Sequence, residues 1–258
     1  MMALEPHGPD TYVGVGPRYP WGGLYGGQIV AQALWAAFET VDPEYRVHSL
    51  HAYFIRRGDH DEPIRFEVDR LRNGRSFVTR SVVARQAVGA ILGMSASFQR
   101  DEAGPDVELA EAPLVPAPDE LDPNRWSPMF ENRKVPRPGE PGRTTHWLSM
   151  TDPIGDNPRL HACALAYLSD DVPVETVASQ HPDHGAPDSE EQNWMAASLD
   201  HAIWFHRPLE ADQWHLFDTR CQGLMSSRGL ALGQVFTADG SHVATIAQEV
   251  LVRHRKPT

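Results

Sequence analysis

The chain carries the same plan twice. Ser49-Leu50 opens an apolar, aromatic stretch and Ser198-Leu199 opens another, while Gln99 and Gln248 close the two modules; both offsets are 149 residues. Each half also holds a Gly-centred turn between strand-like runs, Ala87-Val88-Gly89-Ala90 and Ala238-Asp239-Gly240-Ser241, offset by 151, so short insertions and deletions compensate. A repeat this long has room for a core of its own, which excludes a solenoid of short units and predicts two fused copies of one small domain. Such a chain has one ligand site, or two unequal ones, at the junction.

With 258 residues, 41% of them hydrophobic and 22% charged, the composition is that of an ordinary globular protein of two domains. The start Met1-Met2-Ala3-Leu4-Glu5-Pro6-His7 has neither a basic region nor an apolar one, and nowhere do about 18 apolar residues run together. A cytoplasmic location without a membrane span is the expectation. Cys163 and Cys221 make neither a disulfide framework nor a zinc spacing, and read as packing residues. The net charge of −12 argues against nucleic acid, and any polyanionic ligand must be drawn by a local arginine cluster.

A strand is predicted at Thr11–Val15, followed by the loop Trp21-Gly22-Gly23-Leu24-Tyr25-Gly26-Gly27 and an Ala-rich helix from Gln28 to Phe38, apolar on nearly every side. Glycines before such a helix let another backbone approach and leave its first N–H groups free for an anionic atom; a tight turn would use them equally well. From Val47 the period changes to two. Strands are predicted at His48–Ile55 and Ile64–Asp69, and a hairpin pairs Ser76–Gln86 with Ala90–Gln99. Nine prolines lie between Pro105 and Pro141, so 104–143 reads as a linker unable to form a core between an N-terminal module, 1–103, and a C-terminal one, 144–258. The second module repeats the plan: a strand at Thr144–Met150, a helix from Pro158 to Asp170 with Asn157 as its N-cap, and a polar loop over 179–193. Strands follow at Ser198–His206, Gln213–Cys221, Ser227–Thr237 and His242–Val252.

A helix lying in a wrapped antiparallel sheet, twice over, matches a tandem hotdog of the α+β class. The match becomes specific at Gly26-Gly27-Gln28-Ile29-Val30-Ala31-Gln32-Ala33-Leu34, Val47-His48-Ser49-Leu50-His51-Ala52-Tyr53-Phe54 and Ala166-Tyr167-Leu168-Ser169-Asp170. Leu199-Asp200-His201-Ala202-Ile203-Trp204-Phe205-His206-Arg207-Pro208 and Gln248-Glu249 continue it. The sequence resembles the acyl-CoA thioesterase II family over nearly its whole length. That resemblance implies an acyl-CoA substrate, no cofactor and no covalent intermediate; His181, His184, His201 and His206 invite a metal, but His181 and His184 lie in a polar loop with no helix to fix them, and none is expected. It also implies that a water held by Asp170, Ser198 and Gln248 performs the hydrolysis, with Ser198 standing where the family often has Thr. An oxyanion site near Gly26 and Gly27, or near His161 and Ala162, goes with it, and Arg56, Arg57, Arg75, Arg80, Arg207 and Arg228 are candidates for the phosphates of coenzyme A.

Read on their own, the residues leave alternatives. Asp170 suits a general base or a solvated helix-end acid, and Asp200, expected to share a strand face with Ser198, is a rival carboxylate. His201 is adjacent to Ser198 in sequence but should point the other way, against a Ser/His nucleophile. Gln248 sits among Ile246, Val250 and Val252 and needs a partner. In the first module the counterpart of Asp170 is Glu39 or Trp35, depending on the helix alignment. That half is a degenerate site (Glu39, Ser49, Gln99) or, preferably, an apolar wall. Hydration of enoyl-CoA and non-catalytic acyl-CoA binding are the rival functions, and open sheet edges predict a homo-oligomer.

Overall fold

Residues 3–184 and 194–254 are described by the structure, a computed structural model. Strands β1 (Leu4–Pro6) and β2 (Thr11–Gly14) lead into helix α1 (Gly26–Phe38), which is followed by β3 (Tyr45–Phe54), β4 (Ile64–Asn73), β5 (Phe77–Gln86) and β6 (Gly89–Arg100). The second half runs β7 (Phe130–Val135), β8 (Arg143–Met150), α2 (Pro158–Leu168), α3 (Asp171–Ala178), β9 (Trp194–Ser198) and β10 (Asp200–Phe205), then β11 (His215–Met225), β12 (Arg228–Thr237) and β13 (His242–His254). Each half is a long helix against an antiparallel sheet, a double hotdog.

The two sheets are continuous, in the order β1-β2-β4-β5-β6-β3-β10-β13-β12-β11-β8-β7, with β9 added beside β13. The join is the antiparallel pair β3–β10, in which Ala52 lies opposite His201. Those residues are 149 apart, so positions equivalent in the repeat face each other across a local twofold. Alternation along the strands, for instance Ile64, Phe66 and Val68 on β4, turns one face of the sheet towards the helices. α1 is buried all round, and Ala31, Ala33, Ala36 and Ala37 are fully enclosed. Small side chains there let α2 approach it antiparallel, the start of α1 against the end of α2: Tyr25 Oη donates to Tyr167 O at 2.9 Å, and Arg159 Nη1 donates to Phe38 O at 2.9 Å at the opposite end. Leu34, Phe98, Leu165 and Ile246 belong to one buried cluster, so the halves share a core.

Three features depart from the sequence reading. The proline-rich stretch is not all connector: Phe130–Val135 pairs along β8, and Ala110, Ala112, Val115 and Leu121 pack over buried Val135, Trp147, Leu216 and Phe236. Proline fixes an extended backbone, and an extended backbone can lay small apolar side chains on a sheet without hydrogen-bonding to it. The second helix is two helices, because α3 starts at once after Asp170, with Pro173 inside its first turn where a missing N–H is harmless. The strand expected from Ser198 breaks at Leu199, whose N–H donates to Glu249 O at 2.9 Å while its carbonyl accepts from Phe54 N at 3.0 Å. Of the expected loop over 179–193, residues 181–184 form a turn and 185–193 lie outside the described residues.

Candidate active site

Asp170 follows Ser169 in the two-residue junction between α2 and α3, and its carboxylate points at the start of α1. Gly27 N–H donates to Oδ2 at 2.9 Å and Ser198 Oγ donates to Oδ1 at 2.9 Å. Gln248 Nε2 in turn donates to Ser198 Oγ at 2.7 Å. The structure therefore brings the three predicted residues together, from the α2–α3 junction, the end of β9 and the middle of β13. Asp170 and Gln248 are buried, and Ser198 is half-buried. Burial pushes the Asp170 carboxyl up to about 7, more than the hydrogen bonds from Ser198, Gly27 and Gln248 pull it down.

Both glycines are required by close approach. A Cβ on Gly26 would sit 2.6 Å from Asp170 Oδ2, and one on Gly27 would sit 2.3 Å from the carbonyl oxygen of Tyr167. Gly27→Ala must therefore wedge α1 from α2, an overpacking penalty of about 1–3 kcal/mol, and draw the Gly27 N–H from the carboxylate. Thermal unfolding and thiol-release kinetics on that variant should show a lowered midpoint and at least a tenfold loss of turnover together.

Tyr25, beside the carboxylate, belongs to an aromatic cluster with Tyr19, Trp21, Trp126 and Tyr167, in which the Tyr25 and Tyr167 centroids are 4.9 Å apart and Trp126 is 5.2 Å from Tyr25. Trp126 comes from the proline-rich stretch, a contribution that periodicity could not register. Its Nε1 donates to Asp171 Oδ1 at 2.5 Å, and Asn132 Nδ2 donates to Oδ2 at 2.8 Å. Asp171 is thus fully engaged on the far side of the junction, and burial raises it to about 6.

Other candidates lie elsewhere. Asp200 accepts from Glu249 N at 2.6 Å, and the break at Leu199 removes it from the face it was expected to share with Ser198. His161 is at the start of α2, where Nε2 meets Gly155 O at 2.7 Å and Nδ1 accepts from Ala211 N at 3.1 Å; Ala162 is on the same turn. Both are at the wrong end of α2 for Asp170, so of the two helix starts only α1's meets the carboxylate. Gly27's own N–H is taken by Asp170 and not held open for an oxyanion. Arg80 is 2% exposed and donates to Thr40 Oγ1, Thr40 O, Asn73 Oδ1, Arg72 O and Thr79 O, which excludes it as a phosphate ligand. Arg207 pairs with Asp106 and Glu108, and Arg228 with Glu249 at 2.9 Å. Arg75 is exposed beside Arg70 and Arg100. Arg56 donates to Ala90 O at 2.9 Å and Arg57 to Trp21 O at 2.6 Å, which leaves Arg57 the candidate nearest the loop that leads into α1. The four histidines weighed for a metal are dispersed: His181 pairs with Asp183 and neighbours His184 in one turn, His201 contacts Ser169, and His206 contacts Thr245.

The other end of the helix pair is unlike this one. A cleft of about 500 Å³ opens there, lined by Phe38, Gln99, Arg159, Ala162 and Arg207 among others. Matching Ala31–Leu34 to Ala162–Leu165 puts Pro158, which has no N–H, where α1 has Gly27, and Glu39 is exposed. Arg159 caps the end of α1 instead, donating to Phe38 O and Val41 O at 2.9 Å each. Counted from the Ala52–His201 pair, the mirror of Gln248 is Met94, not Gln99, since Met94 is what lies opposite Ala52 on β6.

Residues 16–99 match the acyl-CoA thioesterase N-terminal domain and residues 107–252 the acyl-CoA thioesterase C-terminal domain. The chain belongs to the acyl-CoA thioesterase II family. An acyl-coenzyme A thioesterase 8 from Homo sapiens is 34% identical, with 98% of this chain and 88% of that one aligned. Acyl-CoA thioesterase 2 of Haemophilus influenzae is 33% identical over 89% of this chain and 87% of its own. The crystal structure of an acyl-CoA thioesterase II, TesB2, from Mycobacterium marinum superposes with a TM-score of 0.86 at 38% identity, covering 99% of this chain and 97% of that one. This thioesterase is therefore a thioester hydrolase acting on acyl-CoA. A dehydratase domain from Pseudomonas fluorescens shares the fold at 10% identity and a TM-score of 0.59, a likeness of architecture only. No helix among the described residues is long and apolar enough to cross a membrane.

Proposed function

We propose that the enzyme cleaves fatty acyl-CoA to free acid and coenzyme A with a water held by Asp170, Ser198 and Gln248. The observation that carries this reading is the continuous chain from amide to hydroxyl to a buried carboxylate raised to about 7. Ionised, that carboxylate accepts a proton from water as the water oxygen bonds to the thioester carbon. The C–S bond then breaks, and the proton passes to the departing sulfur. Negative charge on the carbonyl oxygen is favoured by the positive end of α1, whose first turn lies at the site. His161, the residue a hydratase would need at a helix start, is engaged at the opposite end of α2. A homo-oligomer in the cytoplasm completes the proposal, with β1 and β7 as the open edges of the sheet.

Thiol release measured across short, medium and long acyl-CoAs between pH 5 and 9 tests it. Turnover should fall with a slope of one proton below about pH 7, because Asp170 is a base only when ionised. Loss of enoyl-CoA absorbance without free thiol, or thermal protection by acyl-CoA without turnover, would replace the reading with one of its rivals.

A further inference from the structure

His201 belongs to none of the steps above, yet it is completely buried one strand from Gln248. Antiparallel pairing sets Ala202 opposite Ala247, so His201 on β10 falls opposite Gln248 on β13, side by side on one face. Its Nε2 lies 2.8 Å from Ser169 Oγ. Its Nδ1 is buried without a partner, and so is Oε1 of Gln248. Gln248 is the side chain that favours the charged imidazole, which sets the two groups beside each other across the strand pair. Burial dominates and pushes His201 down to about 4, so the ring is neutral and carries a single N–H.

We infer that His201 is a positioning residue that fixes which way the Gln248 amide faces, and that Ser169 sets the tautomer which does so. The inference rests on the proposed triad. Ser169 Oγ has two acceptors in reach, Ala166 O at 3.2 Å and His201 Nε2 at 2.8 Å; with its single proton given to the nearer one, the N–H of the ring is at Nδ1 and turned to Gln248 Oε1. The amide nitrogen must then face Ser198, donate to its Oγ, and leave the serine proton for Asp170. Every group in the line Ser169, His201, Gln248, Ser198, Asp170 donates forward. Were the amide reversed, its oxygen would face Ser198 and draw that proton off the carboxylate.

The ring can be dissected by its two nitrogens. His201→Phe removes both, whereas His201→Asn keeps an N–H near the place of Nδ1 and His201→Gln keeps a polar atom only near Nε2. In thiol-release assays, His201→Phe should lower kcat roughly tenfold, the size of one hydrogen bond to a charged group, with KM within twofold. Its acid limb should move to higher pH as Asp170 loses the serine proton. His201→Asn should restore most of kcat and the limb, and His201→Gln should not. Ser169→Ala should lower kcat in the same sense, and adding it to His201→Phe should change nothing more. A limb that stays put in His201→Phe, or equal recovery by Asn and Gln, overturns the inference. So does a loss that tracks a lowered unfolding temperature alone. Asp170→Asn run in parallel separates the two readings: wild-type turnover there removes the triad itself, whereas an inactive Asp170→Asn with a normal His201→Phe removes only the positioning role.

Discussion

Asp170→Asn should lower kcat by about a thousandfold, within the range attributed to a general base, and change KM little. Asparagine has one acceptor oxygen for the two donors, Gly27 N–H and Ser198 Oγ–H, that the carboxylate satisfies, and it takes no proton. The fold should survive, and its pH dependence supplies a second check. The carboxyl is raised from an ordinary 3.8 to about 7, so the native state keeps a proton that the unfolded chain releases between those values. Stability from this group is present below about pH 4, is lost as pH rises towards 7, and stays lost above it. Asparagine has no such loss. The unfolding midpoint of the variant should therefore gain on the parent between pH 5 and pH 8, while Asp171, raised in the same sense, acts alike in both proteins. Turnover within tenfold of the parent would sink the assignment of the base, whatever the unfolding curves show.

Arg80→Met should produce the largest loss of stability, about 3–5 kcal/mol, without touching the chemistry. The side chain is buried and hydrogen-bonds to no carboxylate among the described residues, and its five hydrogen bonds tie Thr40, just past α1, to the β4–β5 turn through Arg72, Asn73 and Thr79. Methionine fills the stem and leaves the Thr40 carbonyl and hydroxyl oxygens without a donor in the interior, while the Arg72, Thr79 and Asn73 oxygens lose theirs nearer the surface. At roughly 2–4 °C per kcal/mol for a chain of this size, the midpoint should fall on the order of 10 °C. KM for acyl-CoA and kcat per folded molecule should hold. A raised KM at an unchanged midpoint would return Arg80 to the role of phosphate ligand.

Much of this could be read from residue order because local chemistry and tertiary structure agree. Ile64-Arg65-Phe66-Glu67-Val68 alternates for a sheet with one covered face, and the all-round apolar pattern of α1 anticipates burial on every side. Gln248 stood out as an amide among apolar neighbours, and its partner is Ser198. The failures came where the outcome depended on distant contacts. Nothing local distinguishes Arg80, buried among carbonyls, from exposed Arg75 five positions earlier. Trp126 sits among prolines and acidic residues, and only the third dimension brings it to Tyr25. Asp200 was misplaced by the assumption that a strand continues through Leu199, and a single break reverses which side chains share a face. The equivalence of Gln99 and Gln248 was a match of letters; registers measured from the join give Met94 that place.

The shared helix pair has one more consequence. In a dimer of single modules, any residue selected at one crossing of the two helices is imposed on the other, so a proline that starts one helix well also deletes the N–H a carboxylate needs. Joining the copies in one chain lifts that tie. Gly27 serves a reactive carboxylate at one crossing while Pro158 and Arg159 secure the other, where Arg159 closes the carbonyls left open at the end of α1. One crossing is free to carry a buried carboxylate, because the second has become a clasp.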